Sequence, residues 1–138
     1  SSLAALAQDA PSGIDATILA VIDARMGEIY AGTYRRDANG MAEAIASESV
    51  GPAARLALPA NKRWIAVGSG WDAYGDVLAQ RLASTPVFAD GKRYPQARAV
   101  AVLAAPQFAA GRGVAPEYAL PVYLRDKVAL TLEEQRAR

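Results

Sequence analysis

The chain has 138 residues, 52% of them hydrophobic, with 15 basic against 14 acidic side chains and a formal charge of +1. That supplies apolar material for one core, and it is too even a charge balance for the basic field on which nonspecific nucleic-acid binding depends. Neither Cys nor His is present, which removes disulfides, thiolate and imidazole metal sites, Cys nucleophiles and the commonest neutral-pH general base, and points to a reducing, cytoplasmic setting.

In chain order, Leu3 and Leu6 among alanines predict a short helix ending before Pro11-Ser12-Gly13, too small to bury much by itself. Residues 1–16 read as a helix and linker of a protein that extends further N-terminally, because the start has neither an initiator Met nor the basic opening of a signal peptide. Thr17 to Asp23 is a β-branched and apolar run that suits a strand buried on both faces. Its best apolar stretch, Ile18 to Ile22, falls far short of the roughly 18 residues that span a bilayer. Ala24 to Gly27 turn the chain into Ile29 to Arg36, a strand with Tyr30 and Tyr34 on one face. Asp37-Ala38-Asn39-Gly40 is a strong turn, since Asn and Gly tolerate positive φ. Ala42 to Val50 returns as a third, weaker strand, which completes an antiparallel meander.

Pro52 suits a first helical turn, so Ala53 to Leu58 predicts a short helix stopped by Pro59. Trp64 to Val67 is a buried strand, and Asp72 to Ala83 has helical spacing in Tyr74, Val77, Leu78 and Leu82. Pro86 to Ala89 predicts a short strand. Pro95 to Ala110 predicts an Ala-rich helix with Val100, Leu103 and Phe108 inward and a kink at Pro106, ended by Gly111 and Gly113. Pro121 to Lys127 reads as extended, with Pro121 to Arg125 a clasp in which Val122 and Leu124 cover the core and Tyr123 and Arg125 point outward, and residues 128–138 as a polar tail. Meander followed by βα units is the order of an α/β, ribonuclease-H-like domain of the actin-like ATPase type, a mixed sheet spanning residues 17–127. The order names an architecture and no function.

Four places invite a chemical reading. Gly68-Ser69-Gly70-Trp71-Asp72-Ala73 fits G-x-G-x-x-A between strand and helix, where helix-end N–H groups can hold a pyrophosphate. It lies late in the chain, and Trp71 would crowd a phosphate, so the plainer reading is a strand-to-helix turn with Asp72 favouring the helix dipole. Asp23 and Asp90, at two strand ends, could hold Mg as paired carboxylates do, given a third from Glu28 or Asp72, which makes a carboxylate-metal nuclease one alternative. The hairpin Asp23 to Glu28 stands where kinases of this fold bind phosphate, and a nucleotide-binding module is a second alternative. Here it offers no hydroxyl, and Glu28 would repel a γ-phosphate while Arg25 could pair with an external anion. The basic pairs Arg35/Arg36, Lys62/Arg63 and Lys92/Arg93 are scattered among acids and read as solvated surface.

Three segments, Ile22 to Tyr30, Val67 to Trp71 and Leu120-Pro121-Val122-Tyr123-Leu124-Arg125 followed by Asp126 to Ala129, resemble the bacterial TsaB family, also called YeaZ. The resemblance covers nearly the whole chain, as the C-terminal part of that family. It implies an actin-like fold without activity, of the M22 glycoprotease-like type, acting in the synthesis of threonylcarbamoyladenosine in tRNA. It further implies a bridging scaffold between TsaD, which carries the metal and transfer chemistry, and TsaE, the ATPase, with homodimerisation possible and tRNA met only through the complex. No catalytic, cofactor or metal residue is carried over, and no cofactor is expected. The resemblance makes residues 1–16 the remainder of a missing N-terminal half, and a scaffold of this kind should show a large exposed apolar patch where that half would dock.

Overall fold

A computed structural model describes residues 1–60 and 63–125. Lys62, the run 126–129 and the tail lie outside the described residues. The apolar run beginning at Thr17 becomes the centre of the sheet: β1 (Thr17–Arg25) pairs antiparallel with β2 (Glu28–Arg36), Ile18 opposite Tyr34 and Ile22 opposite Tyr30. On its other edge β1 pairs parallel with β5 (Trp64–Val67), Ile18 beside Ile65. β3 (Ala42–Ala44) and β4 (Ser49–Pro52) both add antiparallel to β2, and β6 (Phe88–Asp90) adds parallel to β5. The sheet is therefore mixed, a meander followed by parallel strands, as the element order predicts.

Alternation along β1 sorts its side chains onto two faces. Ile18 and Ala20 join Tyr34, Ile65 and Val67 beneath α1 (Ser2–Gln8), which contributes Leu3, Leu6 and Ala7. Leu19 and Val21 join Ile29, Ala31 and Trp64 beneath α2 (Ser69–Leu82), which contributes Leu78 and Leu82. The strand is buried on both faces because a helix covers each. α2 begins three residues earlier than its spacing predicts, at a very close approach to β1. A Cβ on Gly68, whose φ is +108°, would lie 2.2 Å from the Val21 carbonyl oxygen, and one on Gly70 2.9 Å from the Val21 Cβ.

Several expectations are corrected. The third strand of the meander is two short ones: Ile45 still donates to the Thr33 carbonyl, but Glu48 turns its carboxylate to the Tyr34 hydroxyl, which breaks the run. The helix expected over 53–58 is a single 3₁₀ turn, Ala53–Arg55, since Leu58 precedes Pro59 and is steered out of helical φ/ψ. α1, expected to bury little by itself, has Leu3, Ala5, Leu6 and Ala7 all buried. α3 (Ala97–Ala109) packs against α1, runs through Pro106 and buries Ala99, whereas Val100 and Phe108, expected inward, are 52% and 80% exposed. The reason is steric: α1 already occupies the sheet face that those larger side chains would have covered.

Candidate functional site

At the tip of the β1–β2 hairpin, Arg25, Met26 and Gly27 all have positive φ, of 63°, 56° and 79°. The chain thereby folds Arg25 back on Asp23, whose carboxylate accepts from the Arg25 backbone N–H at 2.9 Å and pairs with its guanidinium at 3.0 Å. The Asp23 N–H donates to the Ser69 hydroxyl. Glu28 on the far limb pairs with Arg125 at 2.5 Å. Both acids of the hairpin are thus engaged by arginines, Asp23 by Arg25 and Glu28 by Arg125.

The Gly68-Ser69-Gly70 turn is explained by packing. Its glycines face β1, the Gly68 N–H donates to the Asp90 carbonyl, and Gly91 lies against the first turn of α2, where a Cβ would sit 2.7 Å from Asp72. The hollow beside it, about 430 Å³, is lined by Trp71, Asp72, Tyr74, Asp76 and Gly91. Two carboxylates there repel the phosphates that a G-x-G loop would serve.

Asp90 accepts from the Lys92 N–H and pairs with Arg93 at 3.2 Å. Arg93 also pairs with Asp9 at 3.0 Å and lies over the Phe88 ring, so it ties the end of α1 to β6. Asp23 and Asp90 do not converge: β5 lies between their strands, and each is turned to its own arginine. Among the described residues no group of three or more His, Cys, Asp or Glu is placed to hold a metal ion.

Two buried groups are perturbed for structural reasons. Burial, then the hydrogen bond and charge of Glu48, push the Tyr34 phenol far above its ordinary 10. Burial lowers Arg36, whose guanidinium collects the Ala10 carbonyl at 2.6 Å, Gly40 at 2.8 Å and Gln8 at 3.2 Å, and so caps the end of α1.

What remains open is apolar. Phe108, Val114, Tyr118, Leu120, Val122 and Tyr123 are between 65% and 85% exposed. Their segment borders a groove of about 820 Å³, walled by Leu3, Ile22, Tyr30 and Glu48 on the body and by residues 120–125 opposite. The expected clasp is corrected in part, since Leu124, expected inward, is half-buried in the groove wall. Val122 is 85% exposed and covers nothing, while Arg125, expected outward, is the buried member, its side chain 15% exposed. Pattern reasoning missed Arg125 because its partners, Glu28 and the Ala24 carbonyl, lie 97 and 101 positions away and leave no local signal.

No family model matches the chain. It is 39% identical over 136 residues, 94% of its length, to the tRNA threonylcarbamoyladenosine biosynthesis protein TsaB of Escherichia coli K12, and it spans 57% of that protein. Two of the solved structures that match it do so at 38% identity. One is YeaZ from Pseudomonas aeruginosa, TM-score 0.76, over 90% of this chain and 57% of that one. The other is a protein with similarity to peptidase YeaZ from the same organism, TM-score 0.77, over 91% and 57%. The chain thus spans a little over half the length of the relatives it matches, and its mixed sheet has their ribonuclease-H-like, actin-like fold.

Proposed function

We propose that this chain, which corresponds to part of a TsaB/YeaZ-family protein, serves tRNA threonylcarbamoyladenosine biosynthesis in the cytoplasm as a scaffold without chemistry of its own, by holding proteins of the TsaD and TsaE kind. The observation that carries the reading is a contrast between two kinds of side chain. The acids at the strand ends and hairpin, Asp23, Glu28 and Asp90, are each paired with an arginine, while six large apolar side chains between Phe108 and Tyr123 stand in solvent. A catalytic centre needs the first group free, and a binding surface needs the second exposed. The same surface supports self-association when no partner is present. No helix among the described residues is long and apolar enough to cross a membrane.

Co-purification with TsaD and with TsaE homologues, for this chain and for a full-length relative, tests the reading. Capture that is lost in a Val122→Asp, Tyr123→Asp double variant of unchanged melting temperature is the expected result. ATP or RNA hydrolysis above blank that disappears in Asp23→Asn or Asp90→Asn would overturn it and restore the carboxylate-metal alternative.

A further inference from the structure

Residues 113–125 carry no strand, and the backbone hydrogen bonds formed within them are local ones, Tyr118 to Ala115 and Ala119 to Pro116. They leave α3 through Gly111, whose φ is +70°, a hinge that a larger residue would resist. Most of the segment's large side chains are in water, yet its last described residue is not. Arg125 donates to the Ala24 carbonyl at 2.9 Å and to Glu28 at 2.5 Å, and its guanidinium stands 5.6 Å from the centre of the Tyr30 ring. Among the described residues this arginine makes the only polar tie between residues 113–125 and the body of the fold.

We propose that residues 113–125 are a strap latched by one guanidinium, and that releasing Arg125 from Glu28, Ala24 and Tyr30 opens the groove walled by Leu3, Ile22 and Tyr30. The chemistry suits a latch. A planar guanidinium meets a carboxylate, a carbonyl and an aromatic face at once in fixed directions, which a compact, strongly hydrated ammonium does less well. A strap that among the described residues has one polar anchor, a glycine hinge and no ladder of bonds to be broken in turn opens as a unit. Opening would expose apolar surface of the body beside the apolar side chains already exposed, so the latch decides how much of the groove is available. This inference does not depend on the scaffold reading.

The absence of cysteine makes the test direct. A single Ile22→Cys reporter in the groove wall is labelled with an uncharged maleimide, and Leu19→Cys, in the same strand but on the other face and fully buried, reports general loosening. Arg125→Met should raise labelling at position 22 by about fivefold or more without raising it at position 19. Glu28→Gln should act in the same direction, Arg125→Lys should fall between, and about 0.5 M salt should have a smaller effect because the pair is half-buried. Equal rates at position 22 in all these variants would overturn the latch. Rates that rise equally at positions 19 and 22 would also overturn it, by making Arg125 a general stabiliser. If Arg125→Met does not fold, Glu28→Gln and the salt series decide.

Discussion

α1 and α3 lie side by side and obey opposite rules. α1 has seven residues and buries Leu3, Ala5, Leu6 and Ala7, whereas α3 has thirteen, with Val100, Val102, Leu103 and Phe108 among them, and buries Ala99. By length and apolar content the longer helix should own the core. It does not, because α1 lands directly on the sheet and α3 lands on α1. Hydrophobic stabilisation follows the area removed from water, and a helix in the outer layer removes little however apolar it is. What the outer layer keeps in solvent becomes available for contact.

The largest expected effect lies where the inner layer closes most tightly. Gly68→Ala puts a Cβ 2.2 Å from a β1 carbonyl at a φ that side chains avoid, so it should cost at least about 3 kcal/mol in urea unfolding. A loss under about 1 kcal/mol would mean that α2 can slide on β1. Next comes the comparison of helices itself: Leu6→Ala should cost about 2–5 kcal/mol, while Phe108→Ala should stay within about 0.5 kcal/mol. Equal losses would break the contrast.

Tyr34→Phe sharpens it at smaller scale, since the phenol of the inner layer donates to Glu48 beneath α1 and its removal should cost about 1 kcal/mol near neutral pH. The folded state raises this phenol above its unfolded value, so the unfolded chain releases the proton first as pH climbs. The contribution is therefore complete below about pH 10 and shrinks above it. Wild-type stability should fall more steeply than that of the variant between about pH 10 and 11, and parallel curves would place the alkaline sensitivity elsewhere. The smallest effect belongs to the rim. Arg35→Ala removes an exposed pair with Glu43 and should change stability by less than about 0.5 kcal/mol.

Much of this was legible without coordinates. The Thr17 run, the Asp37 to Gly40 turn, the Trp64 strand and the glycine break after it all emerge near their expected places, because strand periodicity and positive φ at glycine are local properties. The α3 face was misread because apolar spacing says that a helix has an inward side but not what already lies there. Among the candidate residues, Asp23, Glu28 and Asp90 are charged groups at a hairpin and strand ends, as expected. The short links from Asp23 to Arg25 and from Asp90 to Arg93 lie within reach of local spacing, whereas the pairing of Glu28 with Arg125 was not to be read from it.

By itself the sequence determined the main strands and helices, though neither the split of the third strand nor the 3₁₀ turn at Ala53–Arg55, together with the positions of the tight turns and the exclusion of cysteine and imidazole chemistry. Only the tertiary structure decided that the short first helix and not the long third one covers the sheet, that Gly68 and Gly70 make the close contact with Val21, and that Arg125 anchors its segment. The division has one physical cause. Turn and strand preferences act within a few residues, whereas contacts such as Arg93 with Asp9 and Arg125 with Glu28 join positions 84 and 97 apart, where chain connectivity restricts little and packing selects the partner.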